Sequence, residues 1–482
     1  MTSSTTPSKS IKAKLLIVGL AASATFGLVA ADAASAKTIT VCKPGCKVRT
    51  ITAAVKQARK GDTIKVKPGV YAESVLIKGS RYDNLKIFGT TSKRSKMPLL
   101  TGTRARPQTD FGILAQGVDG LELKNLRGAN YTGTAFFVRG DYSNSGPAEP
   151  CKGYKFSNLV AYNNVKYGLY ARNCIGGQMT RSEAYVNGDA GVYIGETPEQ
   201  DNPVWTDLSY LKMHKNVLGY SGTNSRYVDI NNSQFFNNGA GIVPNTLDSE
   251  GFEPTANGKI RDNQIFWNNF NHYANCAGSK TGDSPACSPI PRNWVGNLGT
   301  VGGIFTIYYP TGIGVLLHGS TGWEITGNDV FGNNKWGIGI VSDPFNDNND
   351  AVGNDNQVRD NVLGRGGTDS NGFDFYWDYA GSNNCFSGNG SFTAQNDSSG
   401  PAVSNSDLYP TACPGTTGTG DQDANPGQFN VLLDLVTGGL NTFPSSPDPE
   451  KMQCLWGRSA SDTHAAYPGY TYYRVTKPIA CS

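Results

Sequence analysis

Apolar residues along the middle of the chain come in short alternating runs broken by Asn and Gly, not in the three-to-four spacing of long helices. Lys155 to Tyr170 reads KFSNLVAYNNVKYGLY, Val228 to Val243 reads VDINNSQFFNNGAGIV, and Trp323 to Ile340 reads WEITGNDVFGNNKWGIGI. Alternation over three to six residues predicts strands with one buried face, and the Gly and Asn between them predict tight corners. The motif repeats. Its Asn markers Asn163, Asn187, Asn237, Asn268 and Asn333 lie 24, 50, 31 and 65 residues apart, one or two turns of a repeating unit. A period of about 22–30 residues belongs to a solenoid. One such unit cannot bury its apolar face alone, whereas stacked copies share a continuous core and pair strand to strand in parallel sheets. The recurrent Asn is expected to stack on itself, each side-chain amide bonding the amide of the next coil.

A solenoid needs a closed end. Thr50 to Lys60 sets Ile51, Ala54, Val55 and Ala58 at helical spacing, which predicts a short amphipathic helix over the first coil. Gly61 to Ile77, GDTIKVKPGVYAESVLI, then reads strand, Pro-Gly turn, strand. This order of helix, GDTI-V-PGVY-E-V and Asn-rich coils resembles the opening of right-handed parallel β-helix proteins. That group includes pectin lyase-like carbohydrate enzymes and periplasmic NosD-like proteins. The resemblance spans about Val48 to Gly390 and implies an all-β, right-handed parallel β-helix with an N-terminal capping helix. It implies no single activity, since one scaffold hosts many.

Composition changes the picture in one respect. Only 17% of the 482 residues are charged against 59 Gly, and 23 Tyr, 20 Phe and 7 Trp exclude disorder. Such a length suggests two or three domains. A single solenoid over 37–396 accounts for it instead, followed by a Ser/Gly/Pro-rich extension and a cysteine-bearing tail over 397–482. Residues 1–36 read as an export signal: Lys9, Lys12 and Lys14, an apolar stretch from Leu15 to Ala30, and Ala34-Ser35-Ala36 as a cleavage site. The chain is therefore expected outside the cell, as a monomer without stable membrane insertion. A formal charge of +3 offers no overall footprint for nucleic acid, and an acidic polymer would need a local cluster.

Ten cysteines agree with an oxidising compartment. Consecutive pairing, Cys42–Cys46, Cys151–Cys174, Cys276–Cys287, Cys385–Cys413 and Cys454–Cys481, gives short loops, although sequence leaves the connectivity open.

Candidate chemistry follows from the repeat. Superposing the Asn markers stacks Arg172 over Glu196, Thr246 and Ser342, with Asp248, Glu250 and Asp343 close by. His318 ends the similar strand GIGVLLH. Paired carboxylates with Arg or His suit a polysaccharide. Hydrolysis uses two carboxyls, and elimination from a uronate uses a cation to neutralise the sugar carboxylate and a base for the C5 proton. The catalytic candidates are Arg172, Glu196, Asp248, Glu250 and His318, for a uronate lyase or epimerase ahead of a hydrolase. A non-catalytic glycan-binding surface protein is the other reading. Asp343, Asp347 and Asp350 form an oxygen-rich loop with the chemistry of a calcium site. Asp369-Ser-Asn-Gly-Phe-Asp374 faintly resembles the Asp-Asp-Gly-Phe-Asp calcium motif of one class of β-helix pectate lyases. Ser370-Asn371 stand where its acidic pair should be, and the aromatic run that follows reads as core of a late coil.

Overall fold

A computed structural model describes residues 36–102, 111–143, 146–164, 166–269, 312–333, 335–343, 351–378 and 380–390, and the backbone of 394–395, 463–464 and 467–471. Three parallel sheets of twelve, ten and eleven strands run through it. Each coil visits them in turn: Cys174–Thr180 in the first, Glu183–Tyr185 in the second and Ala190–Gly195 in the third, then Thr206–Ser209 back in the first. Strands of one sheet are joined by a full turn of chain, and parallel crossovers of this kind are right-handed. The result is a right-handed parallel β-helix.

The middle residue of each short strand points inward. Ile64, Ile87, Leu123, Phe156, Met179, Leu208, Ile230, Ile260, Ile325 and Val358 form one continuous column, all fully buried. Helix Ile51–Gln57 closes the N-terminal end with Ile51, Ala54 and Val55 buried. Thr50 caps it by accepting from the Ala53 N–H, and the Glu73 carboxylate accepts from the N–H groups of Ile51 and Thr52. An anion at a helix N-terminus satisfies donors that the helix itself leaves open. Phe375, Tyr376 and Trp377 are buried in strand Phe373–Trp377, as expected of a late coil.

The asparagine ladder is present and includes the markers Asn187, Asn268 and Asn333, while Asn164 and Asn238 stand in it in place of Asn163 and Asn237. Side-chain amides link Asn164, Asn187, Asn216, Asn238, Asn268, Asn333 and Asn371 in succession, 2.9–3.1 Å apart. Asn163 and Asn237, the first of each Asn-Asn pair, instead turn the corner with φ of 58° and 51°. Asn tolerates this left-handed conformation better than other side chains. A second buried ladder joins Asn263, Asn328, Asn361 and Asn389.

Cys42–Cys46 and Cys151–Cys174 are disulfide-bonded. Cys385 is also disulfide-bonded. The remaining expected pairings, the export signal, nearly all of 397–482, Asp347 and Asp350 lie outside the described residues. Among the described residues, no helix is long and apolar enough to cross a membrane.

Candidate active site

Two departures from the regular coil meet over the outer face of the third sheet. Between strands Phe136–Arg139 and Cys151–Ser157 the chain inserts an antiparallel hairpin, Tyr142–Ser143 against Gly146–Pro147. After strand Ala240–Asn245, residues 247–254 leave the coil as a loop carrying Glu250. Both are anchored by the same corner row. The Asn173 amide donates to the carbonyls of Asp141 and Ala148. That of Asn224 donates to Leu247, Glu250 and Gly251, and its oxygen accepts from the Leu247 N–H.

The coil between these two corners breaks their pattern. Asn173, Glu196 and Asn224 all have left-handed φ, at 51°, 49° and 48°, and Glu replaces Asn in the middle. A residue other than Gly or Asn held there costs about 1 kcal/mol or more.

Glu196 is 2% exposed and fully engaged. Arg172 donates Nε to its Oε2 at 2.9 Å and Nη2 to its Oε1 at 2.7 Å. The Tyr142 hydroxyl donates to Oε2, and the Gly251 N–H to Oε1 at 3.1 Å. A carboxylate has about four acceptor positions, so Glu196 has none to spare. Burial alone would raise its pKa, but the bonds from Arg172 and Tyr142 outweigh that and hold it below the ordinary range.

Glu250 is the opposite case. Its Oε2 accepts from the Tyr193 hydroxyl at 3.0 Å and lies 4.0 Å from Arg172 Nη2. Burial raises its pKa and the neighbouring Glu196 charge adds to this, with Arg172 and Tyr193 offsetting only part. Two carboxyls on one guanidinium are thus pushed apart, the signature of an acid–base site.

The floor is aromatic. Tyr170 stacks on Phe137 at 4.0 Å and meets Tyr193 edge-on at 4.6 Å, and Tyr167 lies 4.8 Å from both tyrosines. Burial keeps Tyr170 and Tyr193 protonated well above the ordinary phenol range. At the far side of Tyr167, burial lifts Asp189 to about 7, against the pull of Lys166 and the Tyr167 hydroxyl. The folded chain therefore keeps a proton that the unfolded chain releases near pH 4. Stability from this group is complete below that pH and lost as pH rises through about 7. Thermal melts from pH 4 to pH 8 are expected to show that decline, and Asp189→Asn to flatten it.

The sequence candidates divide. Arg172, Glu196 and Glu250 converge. Asp248 is exposed on the loop and meets none of them. His318 occupies the expected sheet edge but four strands from Arg172, about 19 Å at the usual strand spacing. It faces Asp343, with Nε2 and Oδ1 3.9 Å apart. Sharing a column places residues on one line and not at one point. Register also moves: Arg172 pairs with Gly195 and not Glu196, because the ladder member beneath it is Asn164. Tyr142, Tyr170, Tyr193 and Asp189 were not among the sequence candidates. For Tyr170 and Tyr193 the signal was the shared two-residue offset before Arg172 and Gly195, while Tyr142 sits in an insertion that no repeat locates. Among the described residues, no three His, Cys, Asp or Glu side chains group to hold a metal.

Comparison with known proteins gives likeness of architecture. No family model matches the chain, and no curated protein sequence does. Among solved structures, it is similar to the A-module of mannuronan C-5 epimerase AlgE4 from Azotobacter vinelandii. There the TM-score is 0.43 and the identity 14%, over 70% of this chain and 80% of that one. An alginate lyase from Paenibacillus sp. str. FPU-7 matches with TM-score 0.40 and 13% identity, over 67% of this chain and 94% of that one. Tailspike protein 2 of Escherichia coli O157:H7 bacteriophage CAB120 matches with TM-score 0.46 and 11% identity, over 74% of this chain and 43% of the tailspike.

Proposed function

We propose that the chain is an extracellular enzyme acting on a uronate-containing polysaccharide, by β-elimination or C5 epimerisation, at the cluster of Arg172, Glu250 and Tyr193. One observation carries the reading: Glu250 is an uncommitted carboxyl of raised pKa, hydrogen-bonded to a protonated tyrosine and beside a guanidinium. Ionised Glu250 takes the C5 proton, and its raised pKa makes it a stronger acceptor than an ordinary carboxylate. Arg172 offsets the charge that builds on the sugar carboxylate. The bond from C4 to the leaving oxygen breaks as the C4–C5 double bond forms, and Tyr193 gives that oxygen its proton. Glu250 then returns a proton to Tyr193 through their hydrogen bond, which restores the site. In epimerisation a solvent water instead gives a proton to C5 from the opposite face, and Glu250 passes its own proton to the hydroxide so formed.

Glu196 clamps Arg172 and the hairpin and has no free oxygen position to act as base or nucleophile. Hydrolysis needs a second free carboxyl opposite the acid, which Glu196 does not supply. The two disulfides suit an oxidising compartment. Incubation with polyuronates separates the outcomes. Growth of the ultraviolet absorbance of unsaturated ends identifies elimination, and solvent deuterium entering C5 without chain cleavage identifies epimerisation. New reducing ends without unsaturation would overturn both. Binding without any of these changes would leave the non-catalytic glycan-binding protein.

A further inference from the structure

The near-neutral total hides a segregation along the sequence. Residues 36–157 hold 22 Lys and Arg against 8 Asp and Glu, a net charge of +14, whereas residues 158–482 hold 17 against 30, a net of −13. The outer face of the first sheet shows how differently the two parts manage charge. In the later coils, opposite charges face each other across neighbouring strands. Arg261 Nη2 bonds Asp229 Oδ2 at 2.7 Å, and Lys259 Nζ lies 3.7 Å from Glu324 Oε1. In the early coils the same two outward rows carry Lys65, Lys86, Lys124 and Lys155, with Glu122 the one carboxylate between Lys86 and Lys155. None of these four lysines has an ion pair within 4 Å among the described residues. Lys67 and Lys152 extend the exposed patch.

Cross-strand opposite pairs are the stabilising arrangement on a sheet face, and unpaired like charges cost stability. The later coils close such pairs to within 4 Å, whereas Lys65, Lys86, Lys124 and Lys155 outnumber the single carboxylate Glu122 in their rows and make no such contact among the described residues. Departures of this kind from a fold's own rule collect at functional surfaces. We infer that this face is a docking surface for a linear acidic polysaccharide, separate from the Arg172–Glu250 cluster. Along each row the lysines fall on every second strand, about 9.6 Å apart, and the two rows lie two residues, about 6.6 Å, apart along the strands, a flat cationic lattice suited to a polymer with regularly repeated anionic groups. Single-stranded nucleic acid is disfavoured because Phe88 is the one aromatic residue in the two rows across these coils, and such polymers are gripped by stacking. The face meets that cluster at one corner: Cys174 follows Arg172 by two residues and is tied to Cys151, next to Lys152.

The choice of an acidic glycan rests on the proposed function, but the surface can be tested without turnover. Polyuronate binding is measured by titration calorimetry at several salt concentrations in a Glu250→Gln background, which holds the polymer uncut. Adding Lys86→Gln, Lys124→Gln and Lys155→Gln is expected to weaken binding at least tenfold at low salt. The salt dependence should become shallower, approaching one unit of log–log slope per lost contact. With Glu250 intact, the same three substitutions should leave kcat on a short uronate oligomer unchanged. Equal binding of a neutral glucan, or polyuronate affinity indifferent to the three substitutions, would overturn the proposal. Tighter binding of duplex DNA or of phosphatidylglycerol vesicles at this face would overturn the assignment to a glycan. If wild-type protein turns over no polyuronate yet shows the lysine-dependent binding, the catalytic reading fails and this one stands.

Discussion

Glu250→Gln is expected to lower turnover of a polyuronate by about 10²–10⁴-fold, the usual worth of a positioned acid–base group. The substitution keeps the side chain's size and can keep the contact with the Tyr193 hydroxyl, but an amide does not take up the C5 proton. KM should change little, because the tyrosine floor and Arg172 remain. Tyr193→Phe should cost a comparable factor by removing the donor to the leaving oxygen. Initial rates over a range of pH supply the check. The acidic limb of the wild-type profile should reflect a carboxyl titrating above its ordinary range, and Glu250→Gln should abolish it. A loss below tenfold with the profile intact would move the chemistry away from Glu250.

The largest stability effect is expected at Arg172. Glu196 is 2% exposed, and removing its guanidinium leaves a buried charge held only by Tyr142 and the Gly251 N–H. Breaking a buried pair from one side costs about 3–5 kcal/mol, much of it the penalty on the partner left behind. Arg172→Met should therefore destabilise by about 3 kcal/mol or more in urea unfolding. Adding Glu196→Gln should recover part of that loss, since the buried charge goes too. A double variant as unstable as the sum of the two single ones would show that the two side chains act independently.

Much of the architecture was legible because the β-helix repeats its physics in every coil. Alternation identified the inward column, and the helical spacing of Ile51, Ala54 and Val55 identified the cap. The identity of the ladder members was harder to read. In an Asn-Asn pair both residues are polar, both suit a corner, and only backbone conformation decides which turns and which stacks. That one-residue ambiguity propagated to the site, where Arg172 was set over Glu196 instead of Gly195. Glu250 was found because it lies close behind a strand end. Tyr142 and the contact from Gly251 were not, since an inserted hairpin and a loop meet across coils with no periodic signal to link them. Net charge misled differently: +3 is a difference between two large opposite terms separated along the chain.

The buried amide ladders run in one sense, whereas the partly buried amide bonds of the early coils, from Asn158 to Asn125 and from Asn163 to Asn130, run in the other. In the buried ladders each Asn Nδ2 donates to the Oδ1 of the following coil, from Asn164 to Asn371 and again from Asn263 to Asn389. Aligned amide dipoles add as they do in a helix, and hydrogen bonds in such chains polarise one another. From the coil of Asn164 onward the solenoid therefore carries an internal dipole, negative toward that coil and positive toward the coil of Asn371. The cationic residues collect at the negative pole and the anionic ones at the positive pole. The core of the coil and its surface charge are in this way electrostatically matched, and the uneven charge along the sequence is partly compensated from within.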